Sequence, residues 1–286
     1  MTLISSIHLG GSVSAQEADI SNEVAPFLKW AGGKRWLVKS HLSVFPSTYG
    51  RYIEPFLGSG AVFFRLLPEK AILTDINEEL INLYRVVRDD WQQLWKHLKA
   101  HNRHHSDDYY YAVREQRPTS DVGRAARLLY LNRTCWNGLY RVNRRGEFNV
   151  PRGTKDSVLL DTDDFASVAA SLSGVRLEVC DFEVSIDRAV SGDLIFADPP
   201  YTVKHNHNGF VKYNDRIFSW DDQVRLRDAL VRADERGAYV VVTNAYHESV
   251  RDLYRGFQLR ALSRSSVLAG EARARGATEE LLVTNF

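Results

Sequence analysis

Short apolar runs alternate with longer amphipathic stretches along this chain, the pattern of strands followed by helices. Tyr52-Ile53-Glu54 starts a strand that breaks at Pro55-Phe56-Leu57-Gly58-Ser59-Gly60 and resumes as the helical run Ala61-Val62-Phe63-Phe64-Arg65-Leu66. A second apolar run, Ala71-Ile72-Leu73-Thr74, stops at Asp75, and apolar positions 80, 81, 83, 84 and 87 then predict a helix over 78–89. A β-α-β-α opening implies a parallel sheet. The alternation then ceases: residues 90–145 read as polar, aromatic-rich helices without a convincing strand. Strand patterns return at Arg176–Cys180, Leu194–Ala197, Ala238–Thr243, Phe257–Ala261 and Leu281–Val283, with a helix over Asp221–Arg236. The expected architecture is one α/β domain built from residues 25–77 and 163–286, interrupted by a helical insert over 78–162 and preceded by a flexible tail over 1–24.

Composition changes this picture in two places. The 286 residues are enough for a sizeable core, and 44% hydrophobic content is ordinary for a globular chain. Two cysteines, Cys135 and Cys180, make no disulfide framework and suggest a reducing compartment, the cytoplasm. No apolar stretch reaches membrane-spanning length, and the first 24 residues lack the basic start of a signal peptide. The net charge of +1 conceals a local excess: positions 124, 127, 133, 141, 144, 145, 152 and 155 are Arg or Lys, and the acid among them is Glu147. Such an excess marks either a solvated basic surface or a polyanionic partner.

The densest chemical signal is Asp198-Pro199-Pro200-Tyr201, which ends the apolar run Asp193-Leu194-Ile195-Phe196-Ala197. Two prolines fix their own φ and donate no hydrogen bonds, and each pushes the residue before it toward extended backbone. The result is a stiff spur holding a carboxylate, a carbonyl and a ring, suited to gripping a flat, amino-bearing base. Gly58-x-Gly60 after a strand permits a tight turn and close ligand approach, and Asp75 ends the next strand where an acid can accept ribose hydroxyls. The pair points to a nucleoside-containing cofactor, and the missing third glycine weakens a dinucleotide. In Phe27-Leu28-Lys29-Trp30-Ala31-Gly32-Gly33-Lys34, Trp30 is a candidate for packing on an adenine and Lys34 for meeting a carboxylate. Between Leu131 and Pro151, Arg and Asn recur among aromatics, so Arg133, Trp136, Asn137, Leu139, Arg141, Asn143, Arg144, Arg145 and, just beyond, Lys155 are candidate DNA contacts. His97, His101, His104 and His105 are accounted for by a polar helix, and no metal site is expected.

Phe27–Lys34, Glu54–Phe63, Asp75-Ile76-Asn77, Leu131–Pro151 and Asp198–Tyr201, in that order, resemble the Dam-type (class alpha, D12) DNA adenine-N6 methyltransferases over roughly residues 26–286. The resemblance implies a Rossmann-like S-adenosylmethionine-dependent methyltransferase sheet with an inserted helical DNA-recognition domain. It implies S-adenosylmethionine as cofactor, lined by Trp30, Lys34, Pro55, Phe56, Gly58, Gly60, Asp75, Asp181 and Asp198. It assigns catalysis to Asp198, Pro199, Pro200 and Tyr201. Arg141 matches a guanine-reading arginine, Trp136 stands where the family has an intercalating Tyr, and Leu139 matches a leucine beside the recognition sequence. Thr154 and Lys155 occupy the place of a further base-reading arginine, a departure from the family pattern that counts against GATC itself; the resemblance implies GATC or a related short site as target.

The implied substrate is a flipped adenine in double-stranded DNA, with a cognate restriction endonuclease as a further partner. Polar loop 202–217, with Tyr213 and Phe218, is expected to close over the base. His205 and His207 read as solvent-exposed loop residues, and Arg264, Arg273 and Arg275 are candidate phosphate contacts. Cytosine-N4 or RNA amino methylation, and a DNA-binding protein with lost activity, are the alternatives.

Overall fold

The computed structural model describes residues 24–143, 145–204, 218–265 and 277–286. The expected tail up to residue 23, Arg144, His205, His207, Tyr213, Arg273, Arg275 and the Arg264 side chain lie outside what it describes. Seven strands form one sheet: β1 (Tyr52–Glu54), β2 (Ala71–Asp75), β3 (Arg176–Val179), β4 (Leu194–Ala197), β5 (Tyr239–Ala245), β6 (Gln258–Ser265) and β7 (Ala277–Thr284). Their order is β3-β2-β1-β4-β5-β7-β6. The first five are mutually parallel, and β7 runs antiparallel to both β5 and β6. The described helices are α1 (Arg35–Ser40), α2 (Ala61–Leu66), α3 (Glu78–His104), α4 (Asp107–Glu115), α5 (Asp121–Thr134), α6 (Phe165–Ser171), α7 (Phe182–Ile186), α8 (Trp220–Glu235) and α9 (Glu248–Leu253).

The central strands are apolar on both faces because helices cover both. Tyr52, Leu194 and Phe196 face one core with Phe63, Phe64, Tyr84 and Leu129. Their chain neighbours Ile53, Ile195 and Ala197 face the other, with Leu226, Leu230 and Val242. Each such side chain removed from water contributes about 1.5–3 kcal/mol. The last two strands are longer than their apolar patterns. β7 begins Ala277-Thr278-Glu279-Glu280, and Gln258 to Ser265 of β6 alternate with polar residues. Backbone pairing in the terminal hairpin, not apolar content, extends them.

The helix expected over 78–89 continues to His104, interrupted at Asp90 (φ −149°, ψ 43°). Its first half lies on the sheet: Arg85 donates to the Leu177 carbonyl, Arg88 to the Val175 carbonyl, and the Tyr84 hydroxyl to the Gly58 carbonyl. Its second half meets the following helices, where His101 stacks on Tyr130 with centroids 4.7 Å apart. His101, His104 and His105 each place Nδ1 on an oxygen (Tyr109 hydroxyl, Ala100 carbonyl and Tyr130 hydroxyl), and burial drives His101 down to about 4. Ser106 and Ser120 accept N–H bonds at the starts of α4 and α5 and so fix where these helices begin.

Candidate active site

Strand order reverses between β1 and β4, which pair in parallel through Tyr52↔Leu194 and Ile53↔Ile195. In open α/β sheets a crevice forms beyond the carboxyl ends of strands at such a reversal. The loop after β1 is the glycine turn, and the loop after β4 is Asp198-Pro199-Pro200-Tyr201. The two strongest motifs therefore leave the same edge of neighbouring strands.

Both glycines of the turn have positive φ, +49° at Gly58 and +62° at Gly60. A Cβ on Gly58 would lie 2.9 Å from Trp30 Cδ1, so the indole sits directly against the turn. Pro55 is buried, while Phe56 is half-buried and stacks on Phe182 at 5.4 Å with Phe218 edge-on to it. Asp75 closes the turn from β2: the Gly58 N–H donates to Oδ2 at 3.3 Å and the Asn77 N–H to Oδ1 at 2.9 Å. Burial nonetheless pushes the Asp75 carboxyl up to about 6. Asp181 lies at the same edge beyond β3 and caps α7, accepting the Glu183 N–H and an Arg225 guanidinium, each at 2.9 Å.

Asp198 and Lys34 meet at the centre. Lys34, at the N-terminus of α1, is 3% exposed. Its Nζ lies 2.8 Å from Asp198 Oδ2, 3.5 Å from Glu280 Oε2 and 5.1 Å from the Tyr201 ring centroid, and donates to the Gly32 carbonyl at 2.7 Å. The Thr243 hydroxyl donates to Asp198 Oδ1 at 2.7 Å, and the Tyr201 hydroxyl to Glu280 Oε2 at 2.6 Å. Burial raises the Asp198 carboxyl, and the adjacent Lys34 charge opposes that rise. Glu54, ending β1, is driven far above the usual carboxylate range by burial, although it accepts the Tyr52 hydroxyl at 2.9 Å. Burial thus favours its protonated form.

Sequence reasoning missed Thr243, Glu280, Gln223 and Asn244. The buried Gln223 amide reaches the Pro200 and Thr202 carbonyls, and Asn244 donates to the Gln223 side chain at 2.9 Å, so this pair braces the proline spur. The available signal was position: Thr243 and Asn244 are polar residues within the apolar strand β5, and Glu280 directly precedes Leu281.

The basic segment forms an irregular hairpin pinned by Trp136 N–H to the Pro151 carbonyl (2.9 Å) and Gly153 N–H to the Thr134 carbonyl (2.8 Å). Tyr140 stacks on Trp30 at 5.3 Å, and Asn132 bonds both the N–H and the carbonyl of Lys29, joining the hairpin to the loop that holds Lys34. Trp136 is 51% exposed, and Asn137 (φ 55°) and the surfaces of Arg141, Arg145 and Lys155 are exposed beside it. Leu139 is half-buried.

Two expectations need correction. Arg133 does not face outward. Its side chain is 3% exposed and forms a two-pronged ion pair with the equally buried Asp163, plus bonds to the Val158 and Phe27 carbonyls. It is a core cation. The local basic excess is also smaller than its count, since Arg124 pairs with Glu78 and Glu79, and Arg152 with Asp107 and Asp156. Asn143 spends its amide on its own turn, with Oδ1 accepting the Arg145 and Glu147 N–H groups and Nδ2 donating to Glu147.

Residues 30–266 match the family described as D12 class N6 adenine-specific DNA methyltransferase. The chain is 37% identical over 270 residues to the Type II methyltransferase M1.LlaDCHI of Lactococcus lactis subsp. cremoris, covering 91% of this chain and 95% of that protein. It is 34% identical over 289 residues to the Type II methyltransferase M.MjaIII of Methanocaldococcus jannaschii, covering 92% of this chain and 100% of that protein. It is 32% identical over 263 residues to the DNA adenine methylase of Haemophilus influenzae, with 90% and 92% covered. With Asp198 and the glycine turn leaving neighbouring strands at one sheet edge, these likenesses lead to one conclusion: the chain belongs to the D12 class of N6 adenine-specific DNA methyltransferases.

Proposed function

We propose that the chain moves a methyl group from S-adenosylmethionine to the N6 amine of an adenine flipped out of duplex DNA, with Asp198, Pro199, Pro200 and Tyr201 forming the clamp on the base. The observation carrying this reading is the shared sheet edge: Asp198 and the Gly58–Gly60 turn leave neighbouring parallel strands at the point where strand order reverses.

The residues at that edge fit the cofactor. Asp75 ends β2 with a carboxyl that accepts hydrogen bonds, and aromatic faces are supplied by Phe56 and Trp30, whereas Lys34, the expected partner of a cofactor carboxylate, is engaged by Asp198, Glu280 and the Gly32 carbonyl. Gly58 has no room for a Cβ against Trp30, so the backbone itself forms the cradle wall. Gly60, Pro55 and Asp181 complete the group. When bound, S-adenosylmethionine supplies an electrophilic sulfonium methyl.

The N6 lone pair is delocalised into the adenine ring, so the amine needs acceptors that pull its N–H bonds out of the ring plane and return the lone pair to nitrogen rather than a strong base; after transfer N6 sheds one proton to solvent. Asp198 and the Pro199 carbonyl are those acceptors. Asp198 also stabilises the positive charge that builds on N6, a preorganised electrostatic effect. Tyr201 offers its ring face to the base. Flipping costs a few kcal/mol, which stacking of about 1–3 kcal/mol per base and phosphate contacts offset. Residues 78–162 act as the recognition insert. In it Arg141 reads guanine, Trp136 wedges into the stack, Leu139 packs beside the site, and Asn137, Arg144, Arg145 and Lys155 contact DNA, while Asn143 holds the turn between them. The target is GATC or a related short site. The protein works in the cytoplasm, alone or beside a cognate restriction endonuclease.

The test is transfer from labelled S-adenosylmethionine to adenine-containing duplex, cytosine-only-acceptor duplex and RNA, followed by mapping of modified positions. Label on N6 of adenine within one short sequence supports the reading. Label on cytosine or RNA alone, or no label at all, ends it.

A further inference from the structure

We propose that Glu280 is a positioning residue of this site: by holding the Tyr201 hydroxyl and sharing the Lys34 ammonium with Asp198, it keeps the clamp net negative toward the incoming amine. The inference rests on the reading above.

Topology explains how a residue so near the C-terminus arrives there. β7 is reversed, so Glu280, near its start, pairs with Ala245 at the carboxyl end of β5. An antiparallel strand thus delivers a side chain to the edge where parallel strands deliver Glu54 and Asp198. Glu280 is 2% exposed and opens the apolar run Leu281-Leu282-Val283. Burying a carboxylate costs several kcal/mol unless it is paired. Anchoring the Tyr201 hydroxyl needs an acceptor only, and a neutral glutamine supplies one. The charge therefore asks for a second use.

Charge balance provides it. Asp198 carries −1 and Lys34, at 2.8 Å, carries +1. Those two groups alone present a neutral pair to the amine, and a neutral pair does little for a developing cation. Glu280, 3.5 Å from the same ammonium, makes the trio −1. Glu54 faces Asp198 from β1, but burial favours the protonated form of its carboxyl and of the Tyr201 phenol, so Glu280 is the better placed source of the second negative charge. Glu280 also raises the Asp198 carboxyl through like-charge repulsion. Removing that charge must lower it, and this direction gives a readout that a purely structural role does not move.

Three variants test the proposal. Glu280→Gln keeps an acceptor for Tyr201 and deletes the charge, Tyr201→Phe deletes the hydrogen bond and keeps the charge, and Glu280→Asp keeps the charge on a shorter arm. Expected for Glu280→Gln is a loss in kcat of about tenfold or more, with KM for DNA and Kd for S-adenosylmethionine within about threefold of the parent. Tyr201→Phe, which loses the hydroxyl but keeps the Glu280 charge, should lower kcat less than Glu280→Gln does. In the protein without cofactor, NMR of isotope-labelled aspartate carboxyls, with Asp198 assigned by Asp198→Asn, should show Asp198 titrating at lower pH in Glu280→Gln than in the parent. Equal losses in Glu280→Gln and Tyr201→Phe, or an unmoved Asp198 titration, overturn the proposal. Should Glu280→Gln fail to fold, Glu280→Asp decides: kcat within about fivefold supports the charge role, and a larger loss overturns it. Absence of transfer by the parent chain sinks the methyltransferase reading itself, whereas an active parent with an indifferent Glu280→Gln sinks this inference alone.

Discussion

Lys34 Nζ lies 2.8 Å from Asp198 Oδ2, so the loop ahead of the first strand is tied to the spur behind β4 by a buried ion pair. Burial raises the Asp198 carboxyl and Lys34 holds it down. Clamping the amine requires the ionised carboxylate, so activity falls as pH drops through the Asp198 titration. Lys34→Met removes the lowering influence. The acid limb of the kcat/KM profile should move up by about one pH unit or more, the usual size of an opposite-charge effect. A limb that stays in place would show that Lys34 does not govern the Asp198 charge.

Asp198→Ala removes one acceptor of the clamp and the negative charge. Methyl transfer should fall by about 10³-fold or more, comparable with losing a preorganised stabiliser of transition-state charge. Binding to duplex measured by fluorescence anisotropy should change by less than about threefold, since phosphate contacts carry most of the affinity. An active Asp198→Ala enzyme contradicts the clamp.

Asp75 titrates at about 6 in the folded chain, above its ordinary 3.8. The fold therefore favours the protonated form. The cost of keeping Asp75 ionised is absent below pH 3.8, grows between 3.8 and 6, and is complete above 6. Its ceiling is about 3 kcal/mol, a figure already net of the Gly58 and Asn77 bonds. Asp75→Asn should thus gain stability relative to the parent as pH rises from 4 to 8, measured by urea unfolding, while affinity for S-adenosylmethionine drops by about tenfold. A stability difference that shrinks with rising pH would reverse the sign of this account.

Arg133 and Asp163 form a buried pair whose rupture strands a charge in the core. Arg133→Ala should cost about 3–5 kcal/mol of stability. Below its lowered unfolding midpoint, the salt dependence of DNA binding should match the parent, because no phosphate contact is lost. A shallower slope would return Arg133 to the DNA interface.

Much of this was legible in the chain because the signals are local. Gly58 and Gly60 follow an apolar strand, and two prolines after Asp198 force a stop, so the first five strands and both central motifs follow from pattern alone. What stayed hidden is non-local. Nothing around Glu280 in the sequence says that a reversed strand carries it to Lys34, 246 positions earlier, within 3.5 Å. Arg133 sits among solvent-facing arginines in the sequence, yet its partner Asp163 lies 30 residues away. The polar halves of β6 and β7 escaped because their pairing with each other, not burial, makes them strands.

Trp136 is 51% exposed at the base of the hairpin, an unusual place for an indole. Its backbone is fixed: the N–H donates to the Pro151 carbonyl, and Asn137 behind it adopts φ 55°, a left-handed conformation that turns the chain sharply there. A rigid base under a projecting ring is the geometry of a wedge, and little of its apolar surface contributes to folding. Trp136→Ala should therefore leave the unfolding midpoint within about 2 °C, as for other surface substitutions. Its effect should appear on DNA instead. Loss of stacking worth about 1–3 kcal/mol weakens binding by roughly 5- to 150-fold. The increase in fluorescence of 2-aminopurine placed at the target adenine, which reports unstacking, should shrink with it. A midpoint falling by about 8 °C or more with unchanged 2-aminopurine emission would make the indole a structural element rather than a wedge.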